Sequence, residues 1–270
     1  MNAIVGAENI ALLYESQVLG SRADKCAARC DWNENERLLL LALEKWQNAV
    51  GSSDPSIGAI LDKLGQAYLA LNLIEKAMDA FGEAASLLEM DYHAGHASLA
   101  PILEHEADCF IRQQRYAEAL PLLKRALEIN EKTISSEHRS TLKCMQKLAN
   151  LYSKLDRPVD AEGLLTKAMK HVDTPLGPAE EFRYQLALVY LQQNKHEEAI
   201  EQLLQAIKDF RQRHNYGRLS DCLVIYSNVL RQSGQLESAD QVNANAGHYR
   251  ELAAVSPYPQ DIYPTTFLRM

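Results

Sequence analysis

The chain has 270 residues and a formal net charge of −8, with 47% hydrophobic and 24% charged residues. This balance is typical of a folded globular protein and excludes an intrinsically disordered chain. The acidic surplus argues against non-specific binding to nucleic acid or to an anionic membrane, because both need a cationic surface.

The N-terminal segment and the number of cysteines indicate where in the cell the protein is located. Residues 1–20 lack the basic stretch and the uninterrupted apolar run of a secretory signal. The apolar run at residues 38–43, LLLLAL, is far too short to span a bilayer. Five cysteines, an odd number without an export signal, favour a reducing environment. We therefore expect a cytoplasmic protein with no membrane insertion.

Residues 1–56 are predicted to be an irregular helical region. Apolar residues at spacings of three and four predict helices over residues 9–19 and 34–50. Ala42, Trp46 and Ala49 have the same spacing as marker residues later in the chain, which would make this the second helix of a degenerate repeat. The segment at residues 51–56, GSSDPS, then predicts a break.

A repeat of 42 residues follows the break. The segment 103–129 recurs when the window is shifted by 42 residues in either direction. Its small first-helix residue stands at Gly65, Ala107 and Ala149, and then at Ala187 and Ser227 after gaps of 38 and 40 residues. The predicted helix pairs are 57–70 with 74–89, 99–113 with 116–132, 140–155 with 158–172, 180–193 with 196–213, and 219–232 with 236–252.

The repeated small and aromatic residues are predicted to form the core. A small residue in each helix of a pair lets the two backbones approach closely. Tyr68, Phe110, Tyr152 and Tyr190 fill the space beside these small residues. We therefore assign these tyrosines to packing and not to catalysis.

The repeated residues resemble a known family. Leu64, Gly65 and Tyr68, followed by Ala77, Phe81 and Ala84, resemble the tetratricopeptide repeat. The spacing of 42 residues and the segment RYAEALPLLKRALEINEKTISSEHRSTL look like the kinesin light chain type of that repeat. In that type, a proline usually follows a histidine in the connection between repeats. Here Ala97 follows His96, and Arg139 follows His138.

The resemblance implies an all-α, right-handed superhelical solenoid. It would contain about five helix-turn-helix repeats over residues 57–254, preceded by a helical N-terminal cap. Three prolines within eight residues exclude a helix from the tail, residues 255–270. This extended tail could cap the last helices, dock onto another surface, or remain unpacked.

The sequence provides no catalytic, metal-binding or cofactor-binding pattern. It lacks the glycine-rich nucleotide loops, the zinc-protease motif and the nucleophile elbow of hydrolases. Cys26 and Cys30 have no second ligand pair nearby, and His93, His96 and His105 are better explained as loop or solvated residues. We therefore expect a protein that is not an enzyme and that has no cofactor.

The resemblance places first helices on the concave face, with exposed positions at fixed offsets from the small residue. Asparagines there can hold a peptide backbone, and lysines can bind the carboxylates of an acidic partner. The alternative is that the lysines merely form a solvated face. The partner-binding residues predicted in this way are Arg112, Lys143, Gln146, Lys147, Asn150, Lys154, Tyr184, Asn228 and Arg231.

The predicted function is a non-catalytic scaffold or adaptor that binds an extended or helical segment of another protein in the groove. Asp62 and Gln66 stand where a chaperone-binding carboxylate clamp needs lysine and asparagine, which argues against that subtype. Two alternatives remain open. One is a structural subunit that associates with copies of itself, and the other is a regulatory sensor with a deep pocket for a peptide or small ligand.

Overall fold

A computed structural model describes residues 6–91, 95–171 and 179–255. These residues form twelve α-helices and no strand, which confirms the predicted all-α class. None of the described helices is both long and apolar enough to cross a membrane. His93 and the predicted tail beyond Val255 lie outside the described residues.

The chain divides into two compact units, Met1–Leu151 and Tyr152–Met270. The predicted helices from residue 57 onward agree with the observed ones to within three residues at each end, as far as the structure describes them. The observed helices are α1 (Ala7–Ala28), α2 (Trp32–Val50), α3 (Ile57–Ala70), α4 (Ile74–Asp91), α5 (Leu99–Arg112), α6 (Tyr116–Thr133), α7 (Arg139–Lys154), α8 (Pro158–Met169), α9 (Ala179–Gln192), α10 (His196–Gln212), α11 (Tyr216–Gln232) and α12 (Leu236–Val255).

One turn geometry joins the two helices of every pair in the described residues. The turn has three residues, and the middle one has a positive φ, between 55° and 80°. The residue after it donates its backbone N–H to the carbonyl five residues earlier, as from Arg115 to Phe110 at 2.9 Å. This is the Schellman ending of a helix. The middle residues are Cys30, Asn72, Gln114, Asp156, Asn194 and Gly234.

The same turn joins α1 to α2, so this pair is built like the five that follow. The N–H of Asp31 donates to the Cys26 carbonyl at 2.9 Å. Because this turn lies 42 residues before the next one, Leu39 and Ala42 correspond to Phe81 and Ala84, and both are buried. The register expected from Ala42, Trp46 and Ala49 is therefore shifted by seven residues.

The left-handed turn residues differ in how well they suit that conformation. Asparagine and aspartate adopt it at little cost, whereas Gln114 (φ 60°) adopts it at a higher steric cost. We expect Gln114→Gly to raise the free energy of unfolding by about 0.5–1 kcal/mol. Asn72→Gly, at the same place in the preceding pair, should change it much less. Urea unfolding followed by helical circular dichroism measures both, and an equal effect of the two substitutions would contradict this explanation.

The core alternates small and large residues between the paired helices. Gly65 on α3 faces Phe81 on α4, where Ala107 and Leu123 stand in the next pair. In the second unit Ala187 and Leu203 belong to one buried cluster. Gly65, Ala107 and Ala187 are therefore confirmed as core residues, because all three are buried. Phe110 and Tyr190, which were also predicted to belong to the core, are half-buried.

A basic residue in the turn covers the aromatic ring that precedes it in three pairs. The guanidinium of Arg115 lies 4.6 Å from the Phe110 ring centre, and that of Arg157 lies 4.9 Å from the Tyr152 ring centre. Lys195 is placed similarly over Tyr190, at 5.4 Å. These contacts add a cation–π attraction to the helix ending, and we did not predict them from the sequence.

Candidate functional site

The first helices of the first unit are linked to one another by polar side chains. Nδ1 of His105 on α5 lies 2.7 Å from Oδ1 of Asp62 on α3. Nζ of Lys147 on α7 lies 2.8 Å from Oδ2 of Asp108 and 3.4 Å from Oε2 of Glu104, both on α5. Each of these contacts joins residues about one repeat apart. We call these three contacts the inter-repeat rungs.

Lys147 is therefore held by partners within its own chain. Burial acts most strongly on its ammonium and lowers the pKa, but the carboxylates of Asp108 and Glu104 together outweigh it, so the pKa of Lys147 is raised. The group stays charged while two anions compensate that charge. This differs from the expectation of an exposed cation that is ready to bind a partner.

Exposed polar groups lie beside the inter-repeat rungs. Gln66 on α3, Arg112 on α5 and Asn150 on α7 are exposed, and Nη1 of Arg112 donates to the Leu69 carbonyl at 2.9 Å. We call the surface marked by these three residues the first-helix face. Of the other predicted residues in this unit, Lys143 is half-buried and Gln146 is buried, although both were expected to be exposed.

The predicted residues of the second unit fall into two groups. Lys154, Asn228 and Arg231 are exposed, and Nη2 of Arg231 donates to Asp240 Oδ1 at 2.8 Å. Tyr184 is buried, contrary to expectation, and its hydroxyl finds no hydrogen-bond partner among the described residues. Burial raises the pKa of the Tyr184 hydroxyl. Tyr184 is thus a core residue of α9.

A buried ion pair explains part of this burial. Nη2 of Arg218 on α11 lies 2.7 Å from Oε1 of Glu181 on α9, and its guanidinium lies 5.4 Å from the Tyr184 ring centre. We did not predict a role for Arg218 from the sequence. The sequence does contain a signal for this ion pair. In two places an acidic residue on one first helix is followed, about one repeat later, by a basic residue on the next first helix: Asp108 with Lys147, and Glu181 with Arg218.

The described residues offer little for catalysis. Among them no group of three or more His, Cys, Asp or Glu side chains could hold a metal ion. Burial is the main cause that raises the pKa of Cys109 to about 12, and it also raises the pKa of Cys144 and Cys222. These thiols are therefore neutral at physiological pH and unsuited to nucleophilic attack.

The family models that match this chain all describe the same repeat. Two models described as tetratricopeptide repeat match residues 98–172 and residues 147–214. The search of curated proteins found no match.

Several solved structures have a similar fold. The chain is 22% identical to nearly identical TPR-like repeats from a protein described as a kinesin light chain of Podosopora anserina, over 70% of this chain and 92% of that one, with a TM-score of 0.64. BtubC (BKLC) from P. vanneervenii is 15% identical over 96% of both chains, with a TM-score of 0.65.

A third similar structure is a signal transduction ATPase with a tetratricopeptide repeat sensor from Pyrococcus horikoshii. It is 18% identical over 91% of this chain but only 36% of its own length, with a TM-score of 0.74. At these identities the likeness concerns the fold alone.

Proposed function

Because this chain is a tetratricopeptide repeat protein, we propose that it is a non-catalytic scaffold that binds an extended segment of another protein along the first-helix face. The odd number of cysteines favours a reducing compartment, so we propose that the scaffold is cytoplasmic.

One observation carries this proposal. The inter-repeat rungs satisfy the carboxylates of Asp62 and Asp108 within the chain, while Asn150 and Arg112 beside them stay exposed. Groups that are fixed before binding lose less conformational entropy when a partner arrives. Such a surface is preorganised for a ligand and does not need to reshape itself.

The chemistry of the first-helix face indicates what it would bind. The Asn150 amide can donate to and accept from a peptide backbone, and the Arg112 guanidinium can bind a carboxylate. Since Lys147 is already compensated by two anions, the face is less cationic than the sequence suggested. We therefore expect an extended segment with single acidic residues instead of a long acidic run.

In the second unit, Lys154, Asn228 and Arg231 remain proposed partner-binding residues. Lys154 and Asn228 are exposed in that unit, and Arg231 forms an ion pair with Asp240. Tyr184 and Gln146 are excluded from direct contact because they are buried.

Selection from a display library of random peptides tests the proposal on the full chain. For peptides recovered in this way, we expect Asn150→Ala to weaken binding about two- to tenfold, as for one lost hydrogen bond. Asn48→Ala is the matched control, because Asn48 is an exposed asparagine on α2, which is not one of the helices that form the first-helix face. If both variants bind the selected peptides as well as the native chain does, the first-helix face is not the binding surface.

A further inference from the structure

An exposed apolar stripe runs along α1. Its members, Ile10, Tyr14 and Val18, are spaced four residues apart and have exposed fractions of 59%, 68% and 41%. Residues at this spacing lie on the same side of a helix. Three large apolar side chains in a row form a patch, unlike the single exposed hydrophobic residues that are common on protein surfaces.

The opposite side of α1 already packs within the first unit. The Ser16 hydroxyl donates to the Ala42 carbonyl of α2 at 2.7 Å, and the Asn35 amide donates to the Ala23 carbonyl at 2.7 Å. Ser16 and Ala23 are both buried. The stripe is therefore the side of α1 that the described residues leave uncovered.

We propose that the stripe binds the stripe of a second copy of this chain, with the two α1 helices antiparallel around a two-fold axis at Tyr14. Ile10 and Val18 lie at equal distances on either side of Tyr14. The axis therefore places Ile10 against Val18 of the second copy, and Tyr14 against Tyr14. A two-fold interface needs this kind of self-complementary pattern.

The charges on α1 select the antiparallel arrangement. Glu8 lies at the N-terminal end of the helix, and Arg22 and Lys25 lie at the C-terminal end, all of them exposed. Glu8 is six residues before Tyr14 and Arg22 is eight after it, which corresponds to about 9 Å and about 12 Å along the axis. Glu8 therefore comes close to Arg22 of the second copy, whereas parallel helices would bring like charges together.

Within α1, Glu15 is the one acidic side chain near the proposed axis, and it could oppose the pairing. Oε2 of Glu15 lies 2.9 Å from Nζ of Lys45 on α2, so a cation of the same copy compensates its charge. The dimer therefore brings together two ion pairs and not two bare carboxylates.

The mass of the full chain in solution, measured by sedimentation over a wide range of concentrations, tests the proposal. One chain has a mass of 30.3 kDa, and we expect a reversible shift to twice that mass as the concentration rises. Tyr14→Glu should weaken the association at least about tenfold, as expected for a central contact residue. Because Tyr14 is largely exposed, this substitution should leave the fold intact, which circular dichroism checks.

Val159→Glu is the matched control, since Val159 on α8 is 72% exposed but lies outside the stripe. It should leave the association unchanged. Glu8→Arg and Arg22→Glu should each weaken the dimer, and the two together should restore it. A chain that stays monomeric at all soluble concentrations, a Tyr14→Glu variant that still dimerises, or a charge exchange that does not restore the dimer would each overturn the proposal.

Discussion

Replacement of Arg218 by methionine should lower the free energy of unfolding by about 3–5 kcal/mol. Arg218 and Glu181 form an ion pair whose side chains are only 10% and 4% exposed. Removing the guanidinium takes the cation at 2.7 Å away from the buried Glu181 carboxylate, and breaking a buried ion pair by deleting one member is strongly destabilising. Urea unfolding followed by circular dichroism gives the difference.

Arg231→Met on the same helix is the matched control. Its ion pair with Asp240 is of similar length, 2.8 Å, but the side chains are 48% and 74% exposed. We expect its loss to cost about 0–1 kcal/mol, because water screens an exposed pair. Adding Glu181→Leu to Arg218→Met should recover much of the stability, since an apolar pair needs no charge compensation. Equal losses for Arg218→Met and Arg231→Met would contradict the importance of burial.

The second large effect is expected at Gly65. A Cβ atom added there would lie 2.5 Å from Cε1 and 2.6 Å from Cζ of Phe81. The Phe81 ring is fully buried and packs beside His105, with ring centres 5.4 Å apart, so it has little room to move. We expect Gly65→Ala to lower the free energy of unfolding by about 1–3 kcal/mol, even though alanine favours helix more than glycine does.

The neighbouring repeats provide the compensating change. Where α3 and α4 have Gly65 and Phe81, the next pair has Ala107 and Leu123. Adding Phe81→Leu to Gly65→Ala should therefore restore most of the lost stability. Gly82→Ala is the control on α4, where nothing lies within 4 Å of the added Cβ, and it should raise stability by about 0.5–1 kcal/mol. If Gly65→Ala also raises stability, the close contact is not the reason for the glycine.

The fold was predictable wherever packing imposes a regular residue pattern. Gly65 and Ala107 must be small for paired helices to approach, so they recur at a fixed spacing that the sequence displays. The first pair was harder to recognise, because Asn35 occupies the place of a marker alanine and Cys30 occupies the left-handed turn position. The alignment of this pair with the later pairs follows from the position of the turn at Cys30, and the residue types in the turn do not predict that position.

The candidate site was less predictable than the fold. Offsets from the small residue identify which side of a first helix a residue occupies, and Asn150 and Arg112 are exposed as expected. These offsets do not predict which side chain of a neighbouring repeat contacts that residue. Lys147 meets Asp108 of the preceding repeat, and Tyr184 is covered by Arg218 from the following one.

Hydrogen exchange measured by mass spectrometry, with and without a library-selected peptide, tests the proposed binding surface most directly. If the partner binds the first-helix face, the peptide should slow exchange in α5 and α7, around Arg112 and Asn150, and leave the exposed side of α6 unchanged. Protection confined to α4 and α6, with none in α5 or α7, would contradict the proposed function.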